Sequence, residues 1–115
     1  MLLTRSLLAL GIVGALTLSL GGQAPQSPAV FTAAQATAGQ ASYAANCASC
    51  HLADLAGQNE APQLAGANFR SMWGKRTTKD LIEYMSATMP PGRPSLADQD
   101  YVNIAAFILR SNGAG

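Results

Sequence analysis

A chain of 115 residues is the length of one domain, and with 11% charged residues and a formal net charge of +1 it lacks the basic face that nucleic acid demands of a partner. Two cysteines, Cys47 and Cys50, are too few for a disulfide framework, and the single histidine, His51, excludes any site that needs two imidazoles from one chain.

The chain opens with a short positive start, Met1 to Arg5, followed by a leucine- and alanine-rich run from Ser6 to Leu20 and polar, Pro-containing sequence from Gly21. That is the layout of a secretory signal peptide. Small-x-small cleavage sites stand at Gly22-Gln23-Ala24 and Ala34-Gln35-Ala36. Residues 1–36 are therefore expected to be signal and flexible lead-in, cleaved after Ala24 or Ala36, with residues 37–115 as the domain. The apolar run is shorter than the roughly 20 residues that span a bilayer, so it would tether the chain to a membrane only if left uncleaved. Such a leader directs the domain to the periplasm. Arg5 is its one cation, which leaves residues 37–115 with equal numbers of acids and bases. A domain this small buries only about 60% of its unfolded surface and benefits from a staple.

Helical sequence begins at Thr37, a candidate N-cap, and runs through Tyr43 to Ala45. Ala38, Ala41 and Ala45 share one face and would let a second helix approach closely. Asn46-Cys47-Ala48-Ser49-Cys50-His51 follows. Two thiols three positions apart, with an imidazole directly after the second, suit covalent addition to the two vinyl groups of a haem while the histidine reaches the iron. The alternative, a disulfide across so tight a loop, would constrain the unfolded chain little and gives His51 no role.

Leu52 to Asn68 shows neither helical nor strand periodicity and carries Gly57, Pro62 and Gly66. A loop of this length in a small domain needs something to wrap, and a haem edge is such a thing. Phe69 to Trp73 is expected to be a short helix ended by Gly74. A longer one begins at Thr77 or Thr78, carries Leu81 and Met85 one turn apart, and stops at Met89-Pro90-Pro91-Gly92. A residue before proline is pushed out of the helical region, which puts Met89 in the turn. Ser95-Leu96-Ala97-Asp98 resembles a capping box for a last helix from about Ala97 to Arg110, with Tyr101, Ile104, Ala105 and Ile108 on one face and Asn112-Gly113 as its stop. No strand is needed, so the expected class is all-α.

A haem iron held by His51 has a second axial position. The candidates beyond residue 36 are Met72, Met85 and Met89. Met89, on a segment stiffened by prolines, is the preferred ligand, Met85 the second choice, and an open or water-bound iron the remaining alternative. Core packing is the reading for Met72 and Met85. Arg70, Lys75, Arg76 and Lys79 form one basic cluster, expected to be a solvated face or a surface that steers an acidic partner.

The helix running into Cys47-Ala48-Ser49-Cys50-His51, the Pro62-Gln63-Leu64-Ala65-Gly66 segment, Trp73, Thr88-Met89-Pro90-Pro91-Gly92 and a final Tyr- and Ile-bearing helix occur in the order of a class I c-type cytochrome. The chain from Thr37 onward resembles that family. It is most similar to short bacterial monohaem cytochromes and to the cytochrome domains of quinoprotein alcohol dehydrogenases. The resemblance implies a cytochrome c fold of three main helices plus short ones around a single covalent haem c. It implies attachment through Cys47 and Cys50, iron ligation by His51 and Met89, a Pro62 carbonyl accepting from the far ring nitrogen of His51, and Trp73 against the haem. The first and last helices would cross near Gly39, with Tyr101 or Ile104 opposite.

The implied function is transfer of single electrons in the periplasm between redox partner proteins, for example a dehydrogenase and a terminal oxidase, with no catalysis of its own. The alternatives are a dedicated subunit of such a complex, or a haem sensor or peroxidase with an open axial site.

Overall fold

The computed structural model describes residues 21–22 and 30–115. The expected leader run, Met1 to Leu20, and the cleavage position at Ala24 lie outside the described residues. Five helices follow one another: α1 (Ala33–Asn46), α2 (Ala48–His51), α3 (Ala67–Trp73), α4 (Thr78–Thr88) and α5 (Asp98–Ser111). Among the described residues there is no strand, only an isolated bridge between Gln58 and Ala61. The all-α expectation holds.

α1 starts earlier than the sequence suggested. Its N-cap is Thr32, not Thr37: the Thr32 hydroxyl accepts from the Gln35 amide at 3.1 Å, and the Gln35 side chain accepts from the Thr32 amide at 2.8 Å. This reciprocal box satisfies two donors that a helix start otherwise leaves open, which Thr37 in mid-helix could not do. The packed face also differs. Ala38, Ala41 and Ala45 are exposed, whereas Ala36, Gly39 and Tyr43 are buried. Alanine is compatible with either face; the missing side chain of Gly39 and the large ring of Tyr43 select the one that packs.

That face meets α5, and this is the largest helix–helix contact among the described residues. A Cβ on Gly39 would lie 1.7 Å from the Asn103 carbonyl oxygen and 3.0 Å from the Ile104 nitrogen, so the helices touch backbone to backbone, opposite the position expected. Below the crossing Tyr43 meets Phe107, ring centroids 5.2 Å apart. α5 buries Tyr101, Ile104, Ala105 and Ile108 as expected, and also Ala106 and Phe107. The box proposed at Ser95–Asp98 does not form: Ala97 is the N-cap and no side chain caps it. Asn112 and Gly113, with φ of +88°, do end α5.

α4 has the cap the sequence indicated. The Thr77 hydroxyl accepts from the Asp80 amide, and Asp80 accepts from the Thr77 amide at 2.8 Å. Leu81 and Met85 are buried. α3 buries Phe69 but leaves Met72 63% exposed, so the packing role expected of Met72 is wrong. A helix of two turns laid on the core has room for one inward stripe, and Phe69 takes it.

Gly39→Ala should lower stability by at least the about 1–3 kcal/mol of an overpacked core, because no rotamer change relieves a clash with backbone; a thermal melt checks this. Thr77→Ala should cost about 1 kcal/mol as a lost cap. Hydrogen bonds from Thr77 hold the Asp80 carboxyl below its ordinary 3.8. That stabilising contribution is present above pH 3.8 and is lost as the pH falls through the depressed value. Denaturation below pH 4 should therefore be less steeply acid-dependent in Asp80→Asn than in the unaltered chain.

Candidate functional site

α2 is one turn carrying most of the chemistry. The His51 amide donates to the Cys47 carbonyl at 2.9 Å, closing the turn. Residues three and four apart lie on one helical face, which sends Cys47, Cys50 and His51 the same way. All three border a cavity of about 420 Å³. Its other walls include Leu64, Met85, Met89, Ile104 and Ile108, drawn from the loop, the end of α4 and the core face of α5. The volume lies within the roughly 300–1,000 Å³ of ligand sites.

His51 is 7% exposed, and its Nδ1 lies 2.8 Å from the Pro62 carbonyl oxygen. A carbonyl only accepts, so Nδ1–H donates, and the neutral ring in this tautomer carries its lone pair on Nε2. The bond fixes the orientation of the imidazole and makes the nitrogen that would bind a metal more basic. The partner named for Pro62 from the sequence is the one found.

The Pro62 carbonyl reaches His51 because the loop folds back on itself. Gly57 donates to the His51 carbonyl at 3.0 Å, Gln58 pairs with Ala61, and Leu64 donates to the Leu55 carbonyl at 2.9 Å. Gly57 has φ of +71°, and a Cβ there would lie 2.6 Å from the Ala61 oxygen and 2.7 Å from the Pro62 carbonyl carbon. Only glycine allows this approach. Asn112, treated in the sequence as a helix stop, clamps the far end of the loop. Its side chain donates to the Leu64 carbonyl and accepts from the Gly66 amide, both at 2.9 Å.

Leu52, Leu55 and Asn59 all have positive φ without being glycine. Such conformations cost of order 1–3 kcal/mol each and persist only where the surroundings impose them. At Leu52 the imposing group is Tyr43, whose hydroxyl donates to the Leu52 carbonyl at 2.6 Å. Burial, then the nearby charges of Cys47 and Asp54, push the Tyr43 phenol up to about 12, so it stays a donor at neutral pH.

Cys47 and Cys50 are unbridged thiols. Burial, and after it the neighbouring Cys50, raise the Cys47 thiol above its ordinary value. A raised thiol is a poor nucleophile, so Cys47 is not the activated member of a dithiol pair.

Met89 follows α4 in extended conformation, φ −123° and ψ 139°, as its place before proline predicted. Met85, one turn earlier, is buried and shares the cavity wall. Trp73 is not among the residues that line the cavity. It stacks at 6.4 Å on Phe69, meets Tyr84 edge-on at 5.4 Å, and carries the Arg76 guanidinium 5.0 Å above its ring. Of the basic cluster, Arg76 is therefore engaged with an aromatic face and Lys79 is paired with Glu83, while Arg70 and Lys75 are exposed.

The residues fit a covalently held haem: two thiols and an imidazole with a free Nε2 on one side of an apolar cavity, and thioethers on its wall. Comparison with known proteins gives the same direction. Residues 34–108 match the family described as cytochrome c oxidase, cbb3-type, subunit III. The chain is 33% identical over 92 residues to cytochrome c-554(547) of Halothiobacillus neapolitanus, an alignment covering 66% of this chain and 96% of that protein. No solved structure matches.

Gly57→Ala should displace the Pro62 carbonyl from His51. The expected outcome is a stability loss of about 1–3 kcal/mol in urea denaturation, together with faster solvent exchange of the His51 Nδ1 proton in NMR spectra.

Proposed function

The chain belongs to the c-type cytochromes, haem-based electron carriers with covalently bound haem c and its iron, and we propose that it transfers single electrons through one His/Met-ligated haem in the periplasm. The carrying observation is the convergence of Cys47, Cys50, His51 and Met89 on one apolar cavity, with His51 holding its lone pair on Nε2. The haem supplies a one-electron ferric/ferrous couple. Cys47 and Cys50 would hold it by thioether bonds, His51 Nε2 and the Met89 thioether would bind its iron, and Leu64, Ile104 and Ile108 would exclude water from it. A thioether ligand favours the reduced state and raises the potential. With His51 and Met89 both binding the iron, no coordination site would be left for a substrate, which supports a carrier over an enzyme.

Its partners are redox proteins. A freely diffusing carrier between a dehydrogenase and an oxidase is the first reading. The description of the matched family, an oxidase subunit, favours a second in which the chain serves as a dedicated subunit of such a complex. No helix among the described residues is long and apolar enough to cross a membrane. Export by the leader is supported by its sequence layout. Cleavage after Ala36 would cut α1 in its first turn, removing the Thr32 cap and the fully buried Ala36; cleavage after Ala24 leaves the helix whole. The domain is accordingly proposed to begin at Thr32, with the leader ending at Ala24.

The oxidised protein should show the weak far-red band of a sulfur–iron bond. Met89→Leu should abolish it and open the reduced iron to carbon monoxide, whereas Met85→Leu should keep it. A wild-type spectrum without the band, with ready carbon monoxide binding, would favour the sensor or peroxidase class instead. The intact mass of the exported protein should correspond to a chain starting at Pro25 plus one haem.

A further inference from the structure

The segment from Met89 to Leu96 has little with which to hold itself. Pro90, Pro91 and Pro94 have no N–H to donate, and its one internal backbone bond runs from the Arg93 amide to the Pro90 carbonyl at 3.0 Å. Pro91 to Ser95 are exposed. Both ends of this segment nevertheless meet at one atom. The Tyr101 hydroxyl donates to the Met89 carbonyl at 2.6 Å and accepts from the Leu96 amide at 3.3 Å. A phenol has one proton and free lone pairs, so the two bonds coexist. Tyr101 is 4% exposed on α5, one turn before Ile104, whose backbone abuts Gly39. The hydroxyl thus refers a loop with few bonds of its own to the backbone-to-backbone crossing of α1 and α5.

We propose that Tyr101 is a positioning residue for Met89: its hydroxyl pins the backbone of the ligand segment at both ends and so holds the thioether at the cavity. This rests on the reading of Met89 as an iron ligand. Tyr101 is not among the residues that line the cavity. It acts through the Met89 carbonyl and, by keeping the segment closed, guards the iron against external ligands. Without the hydroxyl, the ring still fills its place in the core, but the Met89 carbonyl and the Leu96 amide lose their shared partner, and Met89 stays tied to α4 only through its own amide, which donates to the Met85 carbonyl at 2.8 Å.

Tyr101→Phe in the haem-loaded protein makes the test, since it removes both bonds and keeps the ring. The far-red sulfur–iron band should disappear on heating well before the helical circular dichroism does. Carbon monoxide should bind the reduced variant about tenfold faster than wild type, the scale of one or two lost hydrogen bonds. Thr77→Ala, which removes a cap from α4 well away from Tyr101, serves as the control: band and helix should be lost together. In the unaltered protein the Leu96 amide should exchange with solvent more slowly than the exposed Ser95 amide, a measurement that needs no variant. A Tyr101→Phe protein whose band melts with its helices and whose carbon monoxide rate equals wild type overturns the proposal, as does a fast-exchanging Leu96 amide. Absence of the band from wild type would instead overturn the ligation of Met89 itself.

Discussion

The backbone contact between α1 and α5 is the constraint on which the rest depends. At Gly39 the two helices approach until a single added carbon would overlap the Asn103 carbonyl. Contact this close leaves little freedom in relative position, since packed interiors do not deform continuously. The helices therefore act as one rigid frame, and what they carry is fixed with respect to both. Ser42 bonding to Asp100, and Arg110 reaching Gln40, extend the frame to its polar rims.

Each helix of the frame contributes one buried tyrosine, and each tyrosine holds a backbone carbonyl beside the cavity. Tyr43 of α1 takes the carbonyl of Leu52, directly after His51; Tyr101 of α5 takes that of Met89. The ring satisfies the core and the hydroxyl satisfies a loop, the division of labour that an aromatic with a polar end allows. Two segments that do not form regular structure are thus located by atoms that belong to regular structure. Asn112, at the end of α5, does the same for the loop at Leu64 and Gly66.

The chemistry of the site follows from these supports. Because the loop is folded tightly at Gly57, a carbonyl is delivered to His51 Nδ1, and because Nδ1 is committed, Nε2 is available. The strained residues at Leu52, Leu55 and Asn59 lie in this same stretch, where the frame and the loop's own bonds impose them. An apolar cavity surrounded by fixed groups needs little rearrangement when its metal changes charge, the property a carrier of single electrons requires.

Much of this was legible in the chain itself. The Cys47–His51 run, the helix-breaking Met89-Pro90-Pro91-Gly92, the Thr77 cap and the Asn112-Gly113 stop are local signals, each dictated by the chemistry of a few adjacent residues, and each appears where it was read. Local rules went wrong where two choices were chemically equal. Thr32 and Thr37 are both acceptable caps, each with a glutamine three residues on, and only the folded chain selects Thr32. The alanines of α1 fit either face, and Gly39 decided between them only once α5 lay against it. Met72 is an apolar residue whose surroundings are set by the placement of α3, which no pattern of seven residues specifies. The roles of Tyr43, Tyr101, Gly57 and Asn112 belong to the tertiary structure, because each bonds or abuts backbone that any sequence would supply. Residue types determined what could bind and where helices end; the packing of α1 on α5 decided which atoms hold the binding groups in place.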